Sequence, residues 1–190
     1  IGGHVFGSCA GLATITVDAL NAVYRSAEGV LFDKDQATLI RYPEGKTGSY
    51  TVHDSVTNIG AYAFEYCSGL TQILFHGNAP GISSSTFSAA DNLIVYYLPR
   101  TTGWGPAFGG RPTALWNPQV SQASLGVRTN RFGFTITGTS NLVVVVEACT
   151  NLFNAVWYPL GTNTLTNGSY CFSDPHWVDY RSCFYRLRAP

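Results

Sequence analysis

The sequence of 190 residues contains no methionine, not even at position 1. The expectation is a processed product or an excerpt of a longer chain. Charge is scarce and balanced: 12% of residues are charged, with 11 basic side chains against 11 acidic. A chain without a net field does not gather phosphate backbones or anionic membranes, so nucleic acid is not an expected partner. The apolar run Leu142 to Val146 is only of strand length, against the roughly 20 residues that cross a bilayer as a helix. No transmembrane segment is expected. Gly-rich phosphate loops, zinc-type cysteine pairs and a Gly-x-Ser-x-Gly elbow are missing as well. The chain is therefore read as a non-enzyme without cofactor or metal.

What is present is apolar and aromatic. Hydrophobic residues make up 45% and aromatics 14% of the chain, ample for buried cores, and disorder is excluded on composition. Low Lys and Glu with abundant Thr, Ser, Gly and Asn fit a secreted, strand-rich protein. Five cysteines, at positions 9, 67, 149, 171 and 183, leave at least one unpaired if the rest pair within the chain.

Internal repetition organises the first half. "IGGHVFGSCAGLATITV" from Ile1 and "IGAYAFEYCSGLTQILF" from Ile59 share Phe6/Phe64, Cys9/Cys67, Gly11/Gly69, Leu12/Leu70 and Ile15/Ile73 at the same offsets. A fainter copy from Ile82 keeps Phe87 and Leu93 and carries Ala90 at the cysteine position. Each copy ends in Leu-x-x-Ile-x-apolar or a relative of it, the short strand of a leucine-rich repeat whose alternate side chains enter a shared core. Between the first two copies, Val30 to Phe32 and Thr38 to Tyr42 read as a hairpin around "DKDQA", followed by a coil strand at Ser49 to Val52.

The run from Gly29-Val-Leu through Leu39-Ile-x-Tyr-Pro, Tyr50-Thr-Val, Val56-x-x-Ile59-Gly, Ala63-Phe64, Cys67 and Leu70 resembles the BspA-type leucine-rich repeats of bacterial surface and secreted proteins. The resemblance covers residues 1 to 98 and implies an adhesive or binding solenoid without catalytic residues. His53, where the pattern often has proline, and Ala90, for cysteine, depart from it, and Ala90 suggests a terminal coil. Cys9 and Cys67, at equivalent offsets, are read as small buried residues of the repeat turn, packing coil on coil. Because at least one coil separates them, no disulfide between them is expected.

The pattern changes near Asn117. The expected domains are a solenoid with a Gly/Pro-rich capping segment over 1–116 and a small antiparallel β-sandwich, immunoglobulin- or fibronectin-like, over 117–190, giving a mainly β protein. "RFGFTIT" places Phe132, Phe134 and Ile136 on one face, and Leu142 to Ala148 reads as a strand covered on both faces. Val146-Glu-Ala-Cys-Thr-Asn-Leu152, Trp157, Phe172-Ser-Asp174 and Phe184-Tyr-Arg186 look like the sandwich modules at the C-terminal end of secreted bacterial repeat proteins. That pattern does not ordinarily carry cysteines at 171 and 183, and their joint arrival in two late strands suggests a cross-strand disulfide, the alternative being two reduced buried thiols. Cys149 is then a small core residue, with an intermolecular bridge as the sharper alternative.

Several side chains have chemistry to weigh. Asp33 and Asp35 are a solvated hairpin turn before they are a calcium loop, since the further ligands are missing. Asp174, His176 and Asp179 could gather round a metal, but "SDPHWVDY" is more simply a turn. Trp104 and Trp177 are candidate glycan contacts, against the plainer reading that such rings fill the core. Asn167-Gly-Ser169 is an N-glycosylation acceptor pattern. The bare repeat at the start makes Ile1, Val5, Phe6, Leu12 and Ile15 a candidate assembly end, because an uncapped coil leaves apolar side chains in water. The expectation is a secreted or cell-surface structural or adhesive protein that assembles with itself head to tail into an extracellular fibre. The alternative is a monomeric module for surface proteins or glycans.

Overall fold

A computed structural model of the chain describes residue 1 and residues 4–190, so Gly2 and Gly3 of the first repeat copy lie outside the described residues. Two units follow one another, Ile1–Leu115 and Trp116–Pro190. Helix among the described residues amounts to short 3-10 turns.

The first unit holds β1 (Tyr24–Ala27), β2 (Val30–Asp33), β3 (Thr38–Arg41), β4 (Gly48–Val52), β5 (Asn58–Ile59), β6 (Leu70–Phe75), β7 (Ile94–Tyr97), β8 (Ala107–Phe108) and β9 (Arg111–Leu115). One side of the solenoid is the sheet β4-β6-β7-β9-β8, parallel from β4 to β9 and closed by the antiparallel β8. Tyr50 lies beside Ile73, and Ile73 beside Val95, a rise of roughly 22 residues per coil that fits a leucine-rich repeat. On another side β3 and β5 pair in parallel, and Asn58 bridges onward to Gly81. The hairpin of β2 and β3 forms around the polar turn, where Asp33 Oδ1 accepts from the amides of Ala37 and Thr38.

The coils are aligned by one ring each. Tyr42, Phe64, Phe87 and Phe108 stack in sequence, with centroids 5.3, 5.3 and 6.1 Å apart. Three residues after the first three of these rings come Gly45, Cys67 and Ala90, small residues at the corner where the chain turns towards its strand. The residue before that corner is left-handed in each of the repeat copies, at Ser8, Tyr66 and Ala89 with φ of 60°, 59° and 54°. The same corner hydrogen bond recurs too, from Leu12, Leu70 and Leu93 amides to the carbonyls of Cys9, Cys67 and Ala90. Repeated sequence thus imposes a repeated, locally strained turn, held by the packing of the side chains beside it.

The second unit holds β10 (Gln119–Val120), β11 (Gly126–Arg128), β12 (Arg131–Thr137), β13 (Val143–Cys149), β14 (Tyr158–Thr164), β15 (Ser169–Asp174) and β16 (Phe184–Arg188). β12 lies between β15 on one side and β10 with β11 on the other; β13 lies between β14 and β16. Phe132, Phe134 and Phe172 of the first sheet meet Tyr185 of the second at 5.0 to 6.0 Å, so the sheets face one another as a sandwich. Val144 to Cys149 are all buried, the charged Glu147 among them, as expected of a strand covered on both faces.

Cys171 and Cys183 do not bridge: both are free thiols. The strands expected to lie side by side belong to different sheets, with Cys171 opposite Thr135 and the residue after Cys183 opposite Cys149. Cys9, expected to be buried at the repeat turn, is exposed, while Cys67 at the same offset is completely buried.

Replacing Phe64 by alanine removes the middle of the ring stack and should destabilise the first unit by about 3–5 kcal/mol. Urea unfolding measures it, and a shift below about 1 kcal/mol, the scale of an ordinary surface change, would mean the stack does not hold the coils.

Candidate functional site

The first repeat copy builds its corner but not its strand. Residues 12–18 join no sheet. Leu12 O accepts from Gly45 N at 2.8 Å, whereas Ile15 N donates to Gly29 O at 2.8 Å and Val17 N to Ser26 Oγ at 3.0 Å. The turn between β1 and β2 has therefore taken the strand that would otherwise reach the edge of β4. Glycine at 29 makes this possible: its φ is +80°, and a Cβ there would sit 2.4 Å from Thr14 Oγ1. Gly45 likewise has no room for a side chain, with Ala10 O 2.7 Å and Leu12 O 2.9 Å from a Cβ.

The consequence is an apolar face at the first coil. Val5 is 62% exposed where its counterpart Ala63 is at 0%, and Ile1 is 54% exposed against 2% for Ile59. Phe6, Leu12 and Ile15 are half-buried, while Phe64, Leu70 and Ile73 are completely buried. Leu20 and Val23, in the loop that follows, are exposed as well.

Polar contacts, with one ring contact, fasten this coil. Arg41, only 2% exposed, donates to Tyr62 O at 2.6 Å, Phe6 O at 3.1 Å and Glu65 O at 3.4 Å, which ties together three successive coils. Its charge is met by Glu44 at 2.6 Å and by Glu65 at 3.7 Å, both buried. Glu65 also takes His4 Nδ1 at 3.2 Å, and the His4 ring lies 3.9 Å from that of Tyr62. The sequence reading missed this cluster; the usable signal was Arg41-Tyr-Pro-Glu44, two charges on either side of a buried ring.

The other residues singled out in the sequence lie elsewhere. Trp104 is not an open platform: it stacks on Tyr97 at 5.3 Å and contacts Phe75 and Phe108 at 5.1 and 4.9 Å, the plainer core reading. Trp177 is half-buried, its indole donating to Asn130 O at 3.3 Å. Asn167 is exposed on a turn with φ 54°. Asp174 is buried under the Tyr185 hydroxyl at 2.8 Å, while His176 and Asp179 pair at 3.3 Å on the surface. Among the described residues no group of three His, Cys, Asp or Glu is placed to hold a metal ion. No helix among them is long and apolar enough to cross a membrane.

Cys67 has the environment of an inert thiol. Burial pushes it up to about 12, against the pull of the Arg41 charge, and its Sγ faces the carbonyls of Glu65 and Tyr42.

Residues 42–103 match the family model of the BspA type leucine rich repeat region, which describes six copies. No curated protein matches the sequence. Among solved structures, the pneumococcal vaccine antigen PcpA is similar at 28% identity over 43% of this chain and 21% of that one, with a TM-score of 0.39. A leucine-rich repeat protein from Eubacterium ventriosum is similar at 20% identity over 51% of this chain and 33% of that one, with a TM-score of 0.38. The chain thus spans a third or less of the length of these proteins.

Since the thiolate is the reacting form, a thiol reagent at pH 8 should label exposed Cys9 and Cys171 in the folded protein and reach Cys67 only on unfolding. Mass mapping of the labelled peptides checks this; rapid labelling of Cys67 without denaturant would show that the coil stack opens in the native state.

Proposed function

With residues 42–103 taken as BspA-type leucine-rich repeats, we propose that this is a secreted or cell-surface structural or adhesive protein without enzymatic activity, and that its first coil is the face on which it assembles. One observation carries the reading. Positions that are buried in the coil from Ile59 are exposed at Ile1 and Val5 and only half-buried at Phe6, Leu12 and Ile15 in the coil from Ile1. A side chain set that fills a core beneath a neighbouring coil is also a set suited to bind such a coil from another molecule.

The far end of the stack favours one form of assembly. There β8 runs antiparallel to β9, and Phe108 ends the ring series. Head-to-tail growth needs a second face complementary to the first, and this hairpin takes that place. Two first coils meeting face to face satisfy each other in a closed, isologous pair. The closed pair is the form of assembly we take, with the open head-to-tail fibre expected from the sequence as the alternative.

Sedimentation or sizing across a range of concentrations tests the proposal. The native chain should form a dimer, and Val5→Asp, at a site too exposed to disturb the fold, should weaken it by about tenfold or more. A dispersed monomer at every concentration would sink self-assembly, and a dimer indifferent to Val5→Asp would move the contact away from the first coil.

A further inference from the structure

At β4, the end strand of the solenoid sheet, lies a pocket of about 330 Å³. Four segments converge on it: the β1–β2 turn with Ala27 and Glu28, the β2–β3 turn with Gln36, the end of β4 with the residues up to Asp54, and His76 just after β6. All belong to the first unit, and none is among the apolar side chains of the first coil.

Gln36 is the residue that calls for an occupant. It is only 8% exposed, and its backbone is engaged, the amide donating to Asp33 O at 3.1 Å and the carbonyl accepting from Ser55 Oγ at 2.7 Å. Its side-chain amide, in contrast, makes no hydrogen bond to any described residue. A buried amide without a partner costs more than a made hydrogen bond gains, so this one presents a donor and an acceptor to whatever fills the pocket. The groups around it are open in the same way. Glu28 forms no ion pair among the described residues. His76 Nδ1 meets Asp54 at 3.4 Å and His53 Nδ1 meets Ser55 Oγ at 2.8 Å, which leaves Nε2 of each ring available.

Charge decides the kind of ligand. No arginine or lysine lines the pocket, and its two carboxylates repel an anion. A cation fares no better: Lys46 already donates to Glu28 O and lies 5.8 Å from the Tyr50 ring centroid, and Asp54 is engaged by His76. Among the described residues no three ligands gather to hold a metal ion. Apolar lining is limited to Ala27, Val52 and the Tyr50 ring. What remains is a neutral ligand dense in groups that both donate and accept, with a small apolar face. We propose that this pocket binds the terminal sugar of a neutral glycan, a single pyranose whose adjacent hydroxyls are shared between the Glu28 carboxylate and the Gln36 amide, its C–H face on Val52 and Ala27. The volume is at the small end for ligand pockets and suits one sugar ring rather than a chain.

Proton NMR of the whole chain reads the test, because its four histidines divide evenly: His53 and His76 line the pocket, and His4 and His176 do not. Methyl glycosides of glucose, galactose, mannose and N-acetylglucosamine are titrated one by one. At least one should shift the ring protons of His53 and His76 alone, with a Kd of about 1 mM, the scale for a ligand of about a dozen non-hydrogen atoms. Gln36→Met, which removes the amide at nearly constant length, and Glu28→Gln, at an exposed position, should each weaken binding by about tenfold with the thermal midpoint unchanged. A trisaccharide ending in that sugar should bind at least as tightly. No shift with any of the four at about 50 mM overturns the proposal, as does binding indifferent to Gln36→Met; if that variant loses its fold, Glu28→Gln decides in the same way. Equal shifts with lysine methyl ester overturn the neutral sugar as occupant, and rejection of the trisaccharide overturns the glycan as its source. Binding lost with Trp177→Ala but kept in Gln36→Met places the sugar elsewhere and overturns this pocket.

Discussion

The solenoid depends on one ring per coil. Tyr42, Phe64, Phe87 and Phe108 can stack at 5 to 6 Å only if each coil returns to the same place, and the small corner residues three positions later let it do so. Gly45 is the tightest of these, since the first coil's backbone passes where its side chain would be. The left-handed residues before Cys9, Cys67 and Ala90 are the cost of turning there, about 1–3 kcal/mol at each such position, offset by the burial of a full aromatic side chain. Arg41 belongs to the same design: a buried cation at the level of the rings hydrogen-bonds carbonyls of the coils on either side. A pair such as Arg41 and Glu44 adds little net stability against its desolvation, but removal of one partner strands the other. Its contribution is therefore to register more than to strength.

Much of this was legible in the sequence because repetition is a pattern of offsets, and offsets survive without coordinates. Ile59, Phe64, Cys67, Leu70 and Ile73 could be assigned to a core from their echo at Ile1 alone. What the echo could not show is which coil has a neighbour. Cys9 and Cys67 occupy one place in the repeat and opposite places in the structure, since the β1–β2 turn diverts the strand after Cys9. The buried charges were hidden for a related reason. Glu65 reads as solvated from its local pattern, and only the stacking of Arg41 beneath it takes it out of water. Trp104 was read as a possible open face, yet it closes the core against Tyr97 and Phe75.

In the second unit the alternation of "RFGFTIT" and the run from Leu142 marked β12 and β13 to within a residue, because period two and continuous burial are local signals. The pairing of strands is not local. Cys171 and Cys183 suggested that the last two strands are neighbours, but β15 belongs with β12, and β16, which starts just after Cys183, with β13. The charges again lie where the pattern is silent. Burial works to raise the Glu147 carboxyl, and hydrogen bonds from Arg188 and Arg186 outweigh it, holding it below the ordinary carboxylate range. Arg186 spends its other face on the Trp157 ring, 4.3 Å from the centroid.

A stack whose coils touch only their neighbours also has a mechanical character. Pulled from the first coil, the load falls on Arg41 at Phe6 O, on the Gly45–Leu12 backbone bond and on His4 against Glu65 and Tyr62 before it reaches the ring series. Beyond that point each ring is released in turn, so the structure yields in steps of a coil length. The first coil, tied by few contacts, is thus a fuse that can part and reform while the stack behind it stays whole.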